Sequence, residues 1–356
     1  MHPTISSALL CPQCKLGSLQ NDNANLLLCR ECSSQYPMLN LNSSRLIAKD
    51  DRPSIKTKIQ EFWGDTAKQY YGAFDSVLSY DLLTTNLKLF EAMLIEREHL
   101  ATTEIDLNDL RGKTVLEIGC GAGATSALFC YHGALVVATD ITPERVRLTS
   151  NKLALVRDKQ DQTRKPTGMA FEADAENLPF RDNQFDIVYS NGVLHHTENT
   201  EKAIDEIYRV VKPKGKCVVM LYSRHSASYW LSLLPKGIIS GEALRQPEAE
   251  WLGKITEGTP KFGTTKNPLT RVYSKRQLET LFGKFESLSF RKNSYNIGMI
   301  AIPKADLLRS NLLQLLGYRP HQGGEIVYGR QIFTETKVER YLGRYIGSCW
   351  NILAKR

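Results

Sequence analysis

Long apolar runs are missing from this chain. A helix needs about eighteen or more uninterrupted apolar residues to cross a bilayer, and no such stretch occurs, so no transmembrane helix is expected. The first ten residues, Met1-His2-Pro3-Thr4-Ile5-Ser6-Ser7-Ala8-Leu9-Leu10, hold no lysine or arginine and run straight into cysteines. They do not read as a signal peptide, and a reducing cytoplasm is the expected location. Compositional bias is also missing. With 42% hydrophobic and 24% charged residues, the chain reads as globular rather than disordered. A length of 356 residues holds one large α/β domain with an appendage or long insertions. The formal net charge of +8 permits nucleic acid or anionic lipid as partner without requiring either.

What is present is organised around Val115-Leu116-Glu117-Ile118-Gly119-Cys120-Gly121-Ala122-Gly123. An apolar run with one acid, then three alternating glycines and a small-residue segment, predicts a buried parallel strand, a tight turn and a helix start. Such a turn also marks nicotinamide sites, but there a third glycine falls later in the pattern and no acid precedes the first. A second strand, Leu135 to Thr139, ends in Asp140, an acceptor-only carboxylate suited to the two hydroxyls of a ribose. A third ends in Glu172-Ala173-Asp174-Ala175, and a fourth, Phe185 to Ser190, runs into Asn191-Gly192-Val193-Leu194-His195-His196.

These four ordered motifs, between Arg111 and Tyr222, resemble the class I S-adenosylmethionine-dependent methyltransferases. The resemblance implies an α/β fold, a Rossmann-like seven-stranded sheet, with S-adenosylmethionine as methyl donor. It implies that Glu117, Gly119, Cys120 and Gly121 hold the methionine moiety. Asp140 and Ile141 would take the ribose and one adenine face, Asp174 and Ala175 the adenine edge, and Asn191 would lie beside them. Oxygen and carbon acceptors usually lose a proton, so His195 and His196 are base candidates, with His225 a third. Their alternative is to cap the turn or line the pocket. The chain lacks the Asn/Asp-Pro-Pro-Tyr/Phe tetrad of many amino-group methyltransferases and in this resembles the small-molecule and lipid-quinone enzymes.

Ahead of this core, Cys11-Pro12-Gln13-Cys14 and Cys29-Arg30-Glu31-Cys32 form two Cys-x-x-Cys pairs, the spacing of a tetrahedral zinc site. Two disulfides are the competing reading. The segment from Cys11 to about Leu46 resembles the small zinc-ribbon activators that partner methyltransferases. It is expected as a structural zinc knob, with substrate or RNA contact as the sharper alternative.

The domain division expected is 1–48 for the zinc ribbon, 49–110 for a helical cofactor-covering segment with a polar linker at Lys49 to Ser54, 111–225 for the core, and 226–356 for substrate-side insertions and the last strands. The resemblance implies that a tyrosine of the covering segment lies near the sulfonium methyl, the alternative being that Phe62, Trp63, Tyr70 and Tyr71 simply pack, and Leu82, Leu83, Leu87, Phe90 and Leu94 fall near helical spacing. Ser274 to Phe282 reads as a helix, Phe285 to Phe290 as the sixth strand and Ser348 to Ala354 as an antiparallel seventh. The insertions Ser226 to Arg271 and Asn296 to Tyr345 are expected to build the acceptor pocket, with Leu308, Leu312 and Leu315 on one helical face that is expected to pack on the catalytic domain, the alternatives being to line a hydrophobic acceptor site or to touch a membrane surface. Lys261 to Lys292, with eight basic and two acidic residues, reads as a solvated basic face or a steering surface. The leading function is methyl transfer to a small-molecule or lipid-like acceptor. Competing with it are an RNA methyltransferase that uses the ribbon and the basic surface, and a non-catalytic S-adenosylmethionine-binding subunit with a protein partner.

Overall fold

The strands of the core are buried on both faces, and their composition explains it. The computed structural model describes residues 2–22, 26–40, 43–48, 55–70, 79–161, 163, 167–256, 266–300 and 304–356. The linker at 49–54, Tyr71 and the segment 257–265 lie outside them. A short helix α1 (Pro3–Ala8) precedes strands β1 (Leu19–Asp22), β2 (Leu26–Cys29), β3 (Gln35–Asn40) and β4 (Ser43–Arg45). Helices α2 (Ile55–Tyr70), α3 (Tyr80–Glu96) and α4 (Leu100–Thr103) follow. The core then alternates: β5 (Thr114–Ile118), α5 (Ala124–Tyr131), β6 (Leu135–Asp140), α6 (Pro143–Leu155), β7 (Gly168–Glu172), β8 (Phe185–Asn191), α7 (Thr200–Val210) and β9 (Val211–Tyr222). After it come α8 (Leu234–Ile239), α9 (Glu242–Arg245), α10 (Glu248–Thr256), α11 (Lys275–Leu281), β10 (Ser287–Asn293), α12 (Ala305–Leu315), α13 (Gly324–Tyr328), α14 (Lys337–Ile346) and β11 (Cys349–Lys355).

Strands β7-β6-β5-β8-β9 lie side by side and parallel, and β11 inserts antiparallel between β9 and β10. Helices cover both faces, which is why β5, β6 and β7 read as nearly continuous apolar runs. Successive residues point to opposite sides. Leu116, Val137 and Phe171 pack with α7 and α11 through Ile207 and Leu278. Val115, Val136 and Ala170 pack with α3 and α5 through Leu87, Phe90 and Phe129. Of the leucines expected on the inner face of α3, Leu83, Leu87 and Leu94 are buried while Leu82 is half exposed. Ser79 caps this helix by accepting from the Leu82 N–H.

The four-cysteine module continues the same sheet. Strands β1, β2, β3 and β4 form an antiparallel meander, and β4 pairs in parallel with β7, Ser44 opposite Phe171. Helix α1 leads to Leu9 and Leu10, which bond back to the Pro179–Phe180 segment. Leu9, Leu27 and Tyr36 share a core with the catalytic sheet.

Of the basic stretch, three residues turn inward, while Lys266, Lys275, Arg276 and Lys284 stay exposed. The Arg271 guanidinium donates to the carbonyls of Thr197 and Glu198, Lys292 to those of His225 and Tyr345, and Arg291 clasps Glu104 at 2.7 and 2.9 Å. No described helix is long and apolar enough to cross a membrane.

Candidate functional site

The turn after β5 fixes the site. Gly119 has φ +75°, and a Cβ there would fall 2.1 Å from Val193 Cγ2, so both backbone handedness and space demand glycine. The Thr139 carbonyl at the end of β6 accepts from the N–H groups of Gly119 (2.7 Å) and Cys120 (2.9 Å). Asp140 completes the frame. One carboxylate oxygen accepts from the Gly121 N–H at 3.0 Å, the other from the Thr142 N–H at 3.0 Å and hydroxyl at 2.8 Å. The acid therefore holds the glycine turn in place as well as facing the cavity.

Glu117 is buried beneath this turn, and its carboxylate accepts from the Ser126 hydroxyl. Burial, with the Asp140 charge behind it, raises its carboxyl to about 8. A carboxyl so placed gains from any cation brought beside it.

A cavity of about 290 Å³ opens over these strand ends, where parallel α/β sheets place their ligands. It is lined by Glu117, Gly119, Cys120, Gly121, Asp140, Ile141, Asp174, Ala175 and Asn191, so the structure gathers all nine residues named from the motifs. Helix α2 crosses it with Ile59 and Trp63, α3 with Phe90, Met93 and Leu94, and α13 with Ile326, Val327 and Tyr328. Phe62 points into the packing and is buried, whereas Trp63 borders the cavity and lies 5.2 Å from the His196 ring.

Lys56 from α2 reaches Asp174 at 2.6 Å and Glu176 at 2.9 Å, and Gln60 donates to the Ile141 carbonyl at 2.8 Å. The other Asp174 oxygen accepts from the Glu176 N–H at 2.9 Å. The helix is thus tied to the loops after β6 and β7, and each Asp174 oxygen keeps a second lone pair for a ligand.

The adjacent histidines part company. His196 lines the cavity, with Nδ1 2.9 Å from the Leu269 carbonyl. The same Nδ1 lies 2.9 Å from the Asn267 amide nitrogen and 3.2 Å from the Thr270 hydroxyl, so it accepts or donates according to the tautomer. His195 is fully buried outside the cavity lining, its ring 3.9 Å from that of Tyr222, and burial holds its pKa well below the ordinary range. The structure therefore does not bring His195 to the site. His225 is exposed and also outside the lining.

Two residues were not legible from the sequence. His99 lines the cavity with Nδ1 accepting from the Ala101 N–H at 3.2 Å and Nε2 3.4 Å from the Asn191 amide. Burial, aided by the Arg97 and Arg291 charges, pushes it down to about 3 and keeps it neutral. Arg97 beside it forks onto Glu335 at 3.0 and 2.8 Å and donates to the Tyr328 hydroxyl at 2.9 Å. That clamp fixes α13 as a wall. The second insertion thus reaches the cavity directly. Of the first, the described residues Asn267, Leu269 and Thr270 only hold His196 from behind.

At the other end, the sulfurs of Cys11 and Cys32 lie 3.6 Å apart and those of Cys14 and Cys29 3.7 Å, all four within 4.8 Å of one another. An ion with sulfur bonds of about 2.3 Å in a tetrahedron sets sulfur edges of about 3.8 Å. A Cβ at Gly17 would fall 2.3 Å from Cys29 Sγ. The four thiols fit a closed four-sulfur metal centre.

Residues 116–219 match the family model described as a methyltransferase domain. Over 178 residues the chain is 30% identical to a ubiquinone biosynthesis O-methyltransferase of Dechloromonas aromatica (strain RCB), a match spanning 46% of this chain and 73% of that protein. The chain belongs to the class I S-adenosylmethionine-dependent methyltransferases. This methyltransferase is also 28% identical over 242 residues to a ubiquinone/menaquinone biosynthesis C-methyltransferase of Hydrogenovibrio crunogenus, covering 63% of the chain and 86% of that protein. Among solved structures, the magnesium protoporphyrin IX methyltransferase of Synechocystis PCC 6803 with bound S-adenosylhomocysteine aligns over 85% of this chain and 100% of its own, at 11% identity and a TM-score of 0.45. The methyltransferase is an enzyme whose methyl donor is S-adenosylmethionine.

Proposed function

We propose that this methyltransferase acts on a small, largely apolar acceptor of the quinone or lipid type. The observation that carries the reading is the apolar wall contributed by Phe90, Met93, Leu94, Ile326 and Val327 beside the glycine turn. A cavity with apolar walls and few polar groups selects an acceptor by shape and burial. The relatives named for ubiquinone and menaquinone biosynthesis support the same class. The inward pairing of Arg271, Arg291 and Lys292 leaves less basic surface for RNA than the sequence suggests.

The residue roles proposed are those the family resemblance implies, and the charge and position of each side chain support them. Glu117 receives the amino group of the methionine moiety, against the backbone of Gly119, Cys120 and Gly121. Asp140 accepts from the ribose hydroxyls, Ile141 and Ala175 flank the adenine, and Asp174 accepts from its amine. Asn191, held at the His99 ring, faces the reacting end. S-adenosylmethionine supplies a methyl group on a sulfonium, a centre so reactive that alignment of the acceptor gives much of the rate. His196 is the base proposed for an acceptor hydroxyl or acidic carbon, being the one of the two neighbouring histidines that lines the cavity. Zinc is the ion proposed for Cys11, Cys14, Cys29 and Cys32, in a structural role, because four thiolates leave no open position. The proposed units are 1–48, 49–110, 111–225 and 226–356, with the first joined to the third through the sheet.

The test is incubation of the purified enzyme with methyl-labelled S-adenosylmethionine and a cell extract, fractionated into small molecules, lipids, RNA and protein. Label in the small-molecule or lipid fraction is expected. Label confined to RNA would overturn the reading and make the thiol module a recognition element.

A further inference from the structure

The helical periodicity of 305–316 suggests leucines packed inward, and the structure turns them out. On α12, Leu308, Leu312 and Leu315 are 62%, 57% and 86% exposed, and Leu316 continues the stripe. Their spacing puts them on one side of the helix. Arg309, beside the stripe, is buried, and its guanidinium forks onto Glu339 of α14 at 2.7 and 2.8 Å. Helix α14 repeats the arrangement. Its inner side is Glu339 and Gly343, and its outer stripe is Val338, Tyr341 and Tyr345, exposed at spacings of three and four. Two helices locked by a buried ion pair thus present leucine and tyrosine to the outside. An exposed apolar face of this kind marks an interaction site.

Charge decides which partner fits. Along 304–346 the exposed bases Lys304, Arg319, Arg330, Lys337 and Arg344 outnumber the exposed acids Asp306 and Glu325, on a chain of formal charge +8. Leucine stripes with aromatic residues and a basic rim are what a helix needs to lie in the headgroup region of an anionic bilayer. The position in the chain adds a reason. Between the two striped helices lies α13, whose Ile326, Val327 and Tyr328 form a wall of the cavity.

We propose that α12 and α14 dock this enzyme on the surface of an anionic phospholipid membrane, with the cavity wall α13 carried between them. The inference concerns surface binding and stands apart from the identity of the acceptor, because binding is read without turnover.

The full-length protein is sedimented with vesicles of phosphatidylcholine alone and of phosphatidylcholine mixed with phosphatidylglycerol. Binding to the mixed vesicles is expected, falling as salt rises. The double variant Leu312→Glu, Leu315→Glu should lose about tenfold or more of that binding while keeping its melting temperature and its affinity for S-adenosylmethionine. Arg319→Glu with Lys337→Glu should abolish the preference for anionic vesicles. No binding by the unaltered protein, or undiminished binding by the leucine variant, would overturn the proposal. So would a stable dimer by light scattering that the leucine variant dissociates, since a second copy would then be what covers the face.

Discussion

The affinity for S-adenosylmethionine should peak near pH 8 because Glu117 must ionise to receive its amino group. Burial raises this carboxyl from 4.5 to about 8 in the free protein. At about pH 6 only ~1% of it is ionised, so forming the ion pair costs about 2.7 kcal/mol, or about a hundredfold in affinity. The ligand's α-amino group titrates at about 7.7–8.0 and supplies the opposite limb. Binding at about pH 6 should therefore release close to one proton. Titration calorimetry in two buffers of different ionisation enthalpy reads both the affinity and the proton count. The Glu117→Gln variant should bind more weakly at pH 8 and lose the acid limb. The same group sets a stability signature. Its folded pKa is raised, so its contribution is fully present below about pH 4.5 and is lost as pH rises through about 8, by several kcal/mol at most. The unliganded Gln variant should accordingly gain melting temperature on the alkaline side. Affinity that stays flat from about pH 6 to 8, with no proton release, would refute the role given to Glu117.

Three other outcomes are expected. Asp140→Ala should weaken S-adenosylmethionine binding about a hundredfold by calorimetry, since it removes the proposed ribose acceptor and also frees the Gly121 N–H it holds at 3.0 Å. Arg97→Ala should destabilise by about 3 kcal/mol in denaturant unfolding and raise KM for the acceptor, while Arg97→Ala with Glu335→Ala should cost less than the single change because no partner is left buried and unpaired. Metal removal by a chelator, or Cys29→Ser, should lower the melting temperature of the whole chain in one transition, because β4 is hydrogen-bonded to β7. A separate low-temperature transition for the module would contradict that coupling.

The sequence by itself determined what short-range physics controls. Three glycines after an apolar strand dictate the turn, and acids at strand ends fall at one edge of a parallel sheet wherever the strands alternate with helices. The two Cys-x-x-Cys pairs likewise define their cluster through local loops. Ser274 and Gln277 form the capping box that starts α11 where the pattern places it. Tertiary structure decided what depends on distant partners or on a choice of face. Arg97 meets Glu335 across 238 positions of sequence, and nothing local to either marks the meeting. His195 and His196 are neighbours with the same chemistry, and a single turn between strand and helix buries one and sends the other to the cavity. The leucine period of α12 is the same whether its stripe faces in or out, and only the tertiary packing, with Arg309 buried against Glu339 beside the stripe, settles that it faces out. The thiol module gave no sign that its last strand would join the catalytic sheet, since three residues, Ser43 to Arg45, are too short to carry a pairing signal.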